Sequence, residues 1–147
     1  MFYIFVKKKY MYPEEIVKPM KEELTSIGFI ELETEEDVSK AISKNGTTLV
    51  AVNSVCGCAA ANARPGIRNS LLNEKKPDHL VTVFAGVDKE ATQAARDLMV
   101  PFPPSSPSIA LFRDGSLVHM VERHHIEGRN ATMISEHLKN VYEEYCS

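Results

Sequence analysis

Cys56 and Cys58 stand on either side of a single glycine in the stretch LVAVNSVCGCAAANARPGI, residues 49–67. The thiolate is the form of cysteine that attacks a disulfide, so a close pair of this kind reads first as a centre for thiol–disulfide exchange. An apolar run leads into the pair and an alanine-rich run leads out, which places it where a strand becomes a helix. A thiolate there faces the unpaired N–H groups of the first turn and the positive end of the helix dipole. Both lower the thiol pKa. Gly57, Ala59, Ala60 and Ala61 are small and leave room for a bulky partner to approach.

The spacing assigns roles. In a regular helix, positions two apart point to nearly opposite sides, because each residue advances about 100°. A Cys56–Cys58 bond therefore requires Cys56 to precede the helix proper, with Gly57 adjusting the backbone. The closed ring is one residue smaller than that of Cys-x-x-Cys, so it is more strained and easier to reduce. Such a pair suits exchange or isomerisation better than strong reduction. Cys56 is the expected nucleophile and the more exposed thiol; Cys58 is the expected resolving or supporting thiol and the more buried one. Two rival readings exist. The pair can be simple packing of small residues. It can also be half of a metal site, but structural zinc needs two further ligands. Cys146 lies at the far end, and the adjacent His124-His125 is a poor spacing for one ion, so no metal is expected.

The chain that must position this pair has 147 residues, a length that suggests one domain. Residues 1–12 read as an extension and 13–147 as a single domain. Charged residues make up 25%, hydrophobic ones 44%, and the formal net charge is −3. That balance gives no general basic field to attract nucleic acid or anionic lipid, and neither is an expected partner. Lys7, Lys8 and Lys9 read as a solvated tail. No apolar stretch approaches the roughly 20 residues that span a bilayer, and MFYIFVKKKYMY lacks the order of a signal peptide. A cytoplasmic location is expected, where thiols are kept reduced and a close pair is catalytic, redox-sensing or metal-binding.

From Pro13, Ile16, Met20, Leu24 and Ile27 recur at helical spacing, with Pro19 inside the run and Gly28 as its stop. Thr34 and Asp37 match a capping box ahead of Val38 and Ile42. Residues 47–53 (TTLVAVN) and 79–85 (HLVTVFA) read as strands buried on both faces. The helix after the cysteines would turn Ala60, Ala63, Ile67 and Leu71 inward and kink at Pro65. Asp88 can cap a helix carrying Ala91, Ala94, Ala95 and Leu98. After a proline-rich loop, 108–113 and 116–122 form a hairpin at Asp114-Gly115. Asn130 opens a last helix with Ile134, Leu138, Val141, Tyr142 and Tyr145 on one face. This order predicts an α/β fold whose parallel βαβ pair carries an antiparallel hairpin at one side.

SPSIALFRDGSLV (106–118) resembles the proline–strand–turn–strand segment of thioredoxins, in which the proline is cis and faces the cysteines. The resemblance is closer to the bacilliredoxins, thioredoxin-like proteins of bacillithiol-producing bacteria. It rests on VNSVCGCAAANARP (52–65), VTVFAGVDKEAT (81–92), PSSPS (104–108), RHHIEG (123–128) and a last helix ending in cysteine, and it covers about residues 11–147. It implies a thioredoxin-like fold: a central mixed β-sheet flanked by helices, with extra N-terminal helices. It implies that Cys56 attacks mixed disulfides between bacillithiol and proteins, with Cys58 as its partner, and that isomerase activity accompanies this. Bacillithiol is then a co-substrate, no cofactor is tightly bound, and the partners are bacillithiol-modified or disulfide-containing proteins and a small thiol. A cis Ser106-Pro107 bond close to Cys56 would offer the Ser106 backbone to substrate. The alternative is a redox-sensing or metal-binding module on the same scaffold. Two positions depart from thioredoxins: Val55 replaces a tryptophan, and Val50 stands where they bury an acid, leaving Cys58 without that proton acceptor. Cys146 reads as part of a frayed terminus. Arg64 and Arg68 read as surface residues able to attract an anionic thiol. His124, His125 and Glu127 read as a polar rim or solvated loop, and Asn53 and Ser54 as strand-end residues able to meet substrate.

Overall fold

The computed structural model describes residues 12–147; the rest of the expected extension, with the lysine run and Met11, lies outside them. Five strands form one mixed sheet in the order β1-β3-β2-β4-β5. They are β1 (Ile30–Glu31), β2 (Thr47–Asn53), β3 (His79–Phe84), β4 (Ser108–Arg113) and β5 (Ser116–Val121). β2 lies parallel to β3 and antiparallel to β4, and β1 extends the parallel side. The 47–53 and 79–85 segments are thus neighbouring parallel strands, as the β-branched runs predict.

Every residue of β2 is buried, because helices cover both faces of the sheet. Leu49 and Ala51 pack with Leu24 of α1 (Glu14–Thr25), Ile67 of α3 (Arg64–Ser70) and Leu138 and Tyr142 of α6 (Ala131–Tyr145). Val50 and Val52 face the other way, onto Val38 and Ile42 of α2 (Glu35–Ile42) and Ala91 and Ala95 of α4 (Lys89–Asp97). Period-two alternation in one strand thus feeds two cores, and each fully buried Leu, Ile or Phe is worth about 1.5–3 kcal/mol. The β4–β5 turn places Asp114 and Gly115 at positive φ, as a two-residue hairpin requires.

Several local expectations need correction. In α1 Leu24 is buried as the spacing predicts, but Val17 takes the inward place expected for Ile16, which is 49% exposed. Thr34 Oγ1 accepts the Asp37 N–H, but the Asp37 carboxylate turns to Glu33 N, so the cap is one-sided. Asp88 is the N-cap of α4 without a capping side chain, because its carboxylate holds Lys21 Nζ at 2.9 Å. The helix after the cysteines accommodates Pro65 by a change of helical type. It widens into a π-helical stretch, Ala59–Ala63, in which Arg64 N donates to Ala59 O. A proline clashes with the carbonyl four residues back in a regular α-helix, and the wider turn moves the Ala61 carbonyl aside. Ala63, Ile67 and Leu71 face the core as expected, but at the start of the stretch Ala59 is buried and Ala60 exposed, the reverse of the expected order there.

Candidate active site

Cys56 follows the buried end of β2, and side chains from several elements shape the turn between them. Asn53 Nδ2 donates to Met20 O of α1, while its Oδ1 accepts the Ser54 N–H and Arg64 Nη1, each at 2.9 Å. Arg64 Nη1 also donates to Ser54 O, and its Nε lies 3.3 Å from Glu23 Oε1. Arg64 is only 3% exposed, which overturns its reading as a surface residue; Arg68 is exposed as expected. Asn53 and Ser54 are buried scaffold for the turn. Ser54 Oγ accepts the Cys56 N–H at 3.3 Å, which sets where the nucleophile candidate begins.

The Cys56 carbonyl accepts from Ala59 N and Ala60 N, so the helix starts directly after it. Its sulfur accepts the Cys58 N–H at 3.3 Å. Cys56 Sγ therefore does what an N-cap oxygen does, and a thiolate does it better than a thiol. Burial alone would push the Cys56 thiol up. The Cys58 thiol, the N–H groups of Cys58 and Ala59, and the Arg123 charge outweigh that and hold it below the ordinary cysteine value. Cys58 moves the other way, because burial, the hydrogen bond it gives to Cys56 and the neighbouring negative charge all favour its protonated form. Both cysteines are free and half-buried. The expected contrast in exposure is thus absent; Cys58 differs in packing against the apolar core and in donating rather than accepting. Gly57 has no unusual φ, and a Cβ there would meet nothing within 4 Å. Its part is open space above the pair, and no backbone adjustment is drawn from it in this reduced form.

The Ser106-Pro107 bond is cis. Strand register places it: Val52 pairs with Ser108, so the residues just beyond, Ser54 and Ser106, continue side by side toward Cys56. Ile109 pairs with Val121, so Arg123 continues opposite Pro107. Arg123 opens the short helix α5 (Arg123–Ile126). Its N–H reaches Ser105 Oγ, its Nη1 donates to Ser106 O at 3.2 Å, and its Nε meets Glu127 Oε1 at 2.7 Å. Its charge acts on both thiols. Arg123 is the residue that sequence reasoning missed. The RHHIEG run points to its histidines by residue type, and nothing local in it marks the arginine. His125 Nδ1 accepts the Glu122 N–H and Glu122 caps the turn in return. Glu122, His124 and His125 bring potential metal-ligand atoms within 4.8 Å of one another, closer than their sequence spacing suggests. His125 Nδ1 is already committed to that cap.

Cys146 is not frayed. It is buried in the core that α6 shares with β2, and burial pushes its thiol up. Val50 is fully buried and apolar, so the acid that thioredoxins carry there has no counterpart at that position.

A mixed sheet of this order, with a cysteine pair at the end of its central strand and a cis proline in the neighbouring loop, defines a thioredoxin-fold thiol–disulfide oxidoreductase. Solved structures agree on the fold: a thioredoxin variant from Halobacterium salinarum superposes with a TM-score of 0.57 at 20% identity, over 82% of this chain and 93% of that one. Oxidised mitochondrial thioredoxin 3 from Saccharomyces cerevisiae does so at 0.57 and 16% identity, over 83% and 98%. Residues 12–146 match the family described as disulphide isomerase. A bacilliredoxin from Cytophaga hutchinsonii is 62% identical over 91% of this chain and 99% of its own, and one from Bacillus cereus 52% over 90% and 92%. The chain belongs to the bacilliredoxin family. No helix among the described residues is long and apolar enough to cross a membrane.

Proposed function

We propose that the protein removes bacillithiol from S-bacillithiolated proteins in the cytoplasm, with Cys56 as nucleophile and Cys58 as resolving or supporting thiol. The observation that carries this is the Cys58 N–H held on Cys56 Sγ at 3.3 Å, which favours a thiolate at Cys56 and a thiol at Cys58. The names of the relatives support the choice of bacillithiol. The Cys56 thiolate attacks the bacillithiol sulfur of the mixed disulfide. A Cys56–bacillithiol disulfide forms, and the protein leaves as a thiolate that takes a proton from solvent. Two resolutions then balance. Cys58 can lose its proton and attack Cys56 Sγ, releasing bacillithiol thiolate and leaving a Cys56–Cys58 disulfide for an external thiol to reduce. A second bacillithiol can instead attack the bound one, leaving as bacillithiol disulfide and returning the Cys56 thiolate. Gly57 leaves the approach open, and the register of β2 and β4 supports a role for the Ser106-Pro107 backbone in receiving an extended substrate segment. The disulphide isomerase description of the family supports isomerisation by the same exchange.

Mass spectrometry after mixing with a bacillithiol-modified protein tests the assignment. Cys56→Ser should abolish transfer. Cys58→Ser should accept bacillithiol once and accumulate the adduct, turning over only with added thiol. Cys146→Ser should leave the adduct on Cys56. An adduct on Cys58 or Cys146 of the unmutated protein defeats the reading.

A further inference from the structure

We propose that the free face of Arg123 is a binding site for an anionic group, of carboxylate type, on the small thiol that is disulfide-bonded to the substrate. The inference rests on the function proposed above and names a recognition element within it. Arg123 stands opposite Pro107 by continuation of the strand register, two residues past the end of β5. Its Nε is taken by Glu127 Oε1 and its Nη1 by Ser106 O. Nη2 makes no hydrogen bond among the described residues, and the side chain is 43% exposed. The guanidinium is therefore locked on one edge and open on the other. A planar fork held in this way is pre-organised to take a carboxylate.

The other basic candidates do not offer this. Arg64 is spent on Asn53, Ser54 and Glu23 and is buried. Arg68 is exposed on α3 and makes no hydrogen bond to the cis-proline loop among the described residues. Arg96 reaches only Ser105 O, at 3.5 Å. Among the described residues, Arg123 is the cation that both bonds the loop flanking the cysteines and acts on both thiols. When a mixed disulfide places its small thiol on Cys56, an acidic group on that thiol can reach the open edge while Ser106 O holds the guanidinium in place.

Alkylation of Cys56 tests this without any disulfide substrate. Iodoacetate and iodoacetamide both lose iodide to the thiolate, and they differ in charge. The ratio of their rate constants at one pH cancels the thiolate fraction, so a change in Cys56 acidity drops out. Arg123→Gln should lower the iodoacetate-to-iodoacetamide ratio by about three- to fivefold, the size of an exposed charge interaction. Arg123→Lys should keep most of it, and about 1 M salt should erode it in the unmutated protein. An unchanged ratio in Arg123→Gln overturns the inference and reduces Arg123 to an influence on thiol acidity. Transfer from protein mixed disulfides carrying mercaptosuccinate or neutral mercaptoethanol is read in parallel. If the ratio falls but the unmutated protein does not remove bacillithiol from a modified protein, the proposed function fails and the anion site stands. If both adducts are removed with equal loss in Arg123→Gln and the ratio is constant, the function stands and the site fails.

Discussion

At the residue scale, the two cysteines are made different by hydrogen-bond direction and not by depth. Cys56 accepts and Cys58 donates. The rate of Cys56 alkylation should therefore rise with pH to a midpoint below the usual cysteine value of about 8.5, while Cys58 titrates above it. The sign for folding follows. A depressed Cys56 pKa adds stability above the unfolded value, and that contribution is lost as pH falls through the folded one. Cys58→Ala removes the side-chain donor and keeps the backbone N–H, so the Cys56 midpoint should move upward but not fully back. A midpoint at or above the ordinary value in the unmutated protein would contradict the capping geometry.

At the scale of elements, most of the architecture was legible because it rests on local patterns. The β-branched run at 47–53, the Asp114-Gly115 turn and the stripe from Ile134 to Tyr142 each announce themselves within a few residues. The site was legible as far as CGC and less so beyond it. Arg64 looked like a surface residue because its burial depends on Asn53 and Glu23, one 11 residues away in sequence and the other on another helix. Arg123 became visible only once strand register put it opposite Pro107. The inward shift from Ala60 to Ala59 required knowing how the helix would accommodate Pro65. The cis form of Pro107 came from resemblance and could not be read from composition. Close packing of α3 on α6 was equally silent. A Cβ on Gly66 would stand 2.7 Å from Ile134 Cγ2 and 2.8 Å from its Cβ, so the helices must part to admit one. Gly66→Ala should lower stability by about 1–3 kcal/mol in urea denaturation. The Ile134→Ala background should recover part of that loss, because the two positions share the contact.

At the scale of the whole molecule, α6 closes the core behind the sheet, and its most buried polar group limits the pH range of the fold. Ser70 Oγ donates to Ile67 O, so its oxygen is left to accept from Tyr142 OH at 2.8 Å. Burial, more than any neighbour, pushes the Tyr142 hydroxyl well above the tyrosine range. Its folded pKa is raised, so its contribution is fully present below about pH 10 and is lost as pH climbs toward the folded value. Alkaline unfolding should steepen there. Tyr142→Phe should cost about 1 kcal/mol near neutrality and flatten the alkaline slope, as read from denaturation midpoints at a series of pH values.

The turn before Cys56 is held from distant parts of the same body, Met20 and Glu23 on α1 and Arg64 on α3, and the Cys56 thiol it carries feels the charge of Arg123. The redox segment is for that reason not a portable cassette. Transplanting residues 53–58 into another thioredoxin-like scaffold would carry the cysteines without the anchors that shape them, whereas the first helix and the arginine after the hairpin would have to travel with the graft.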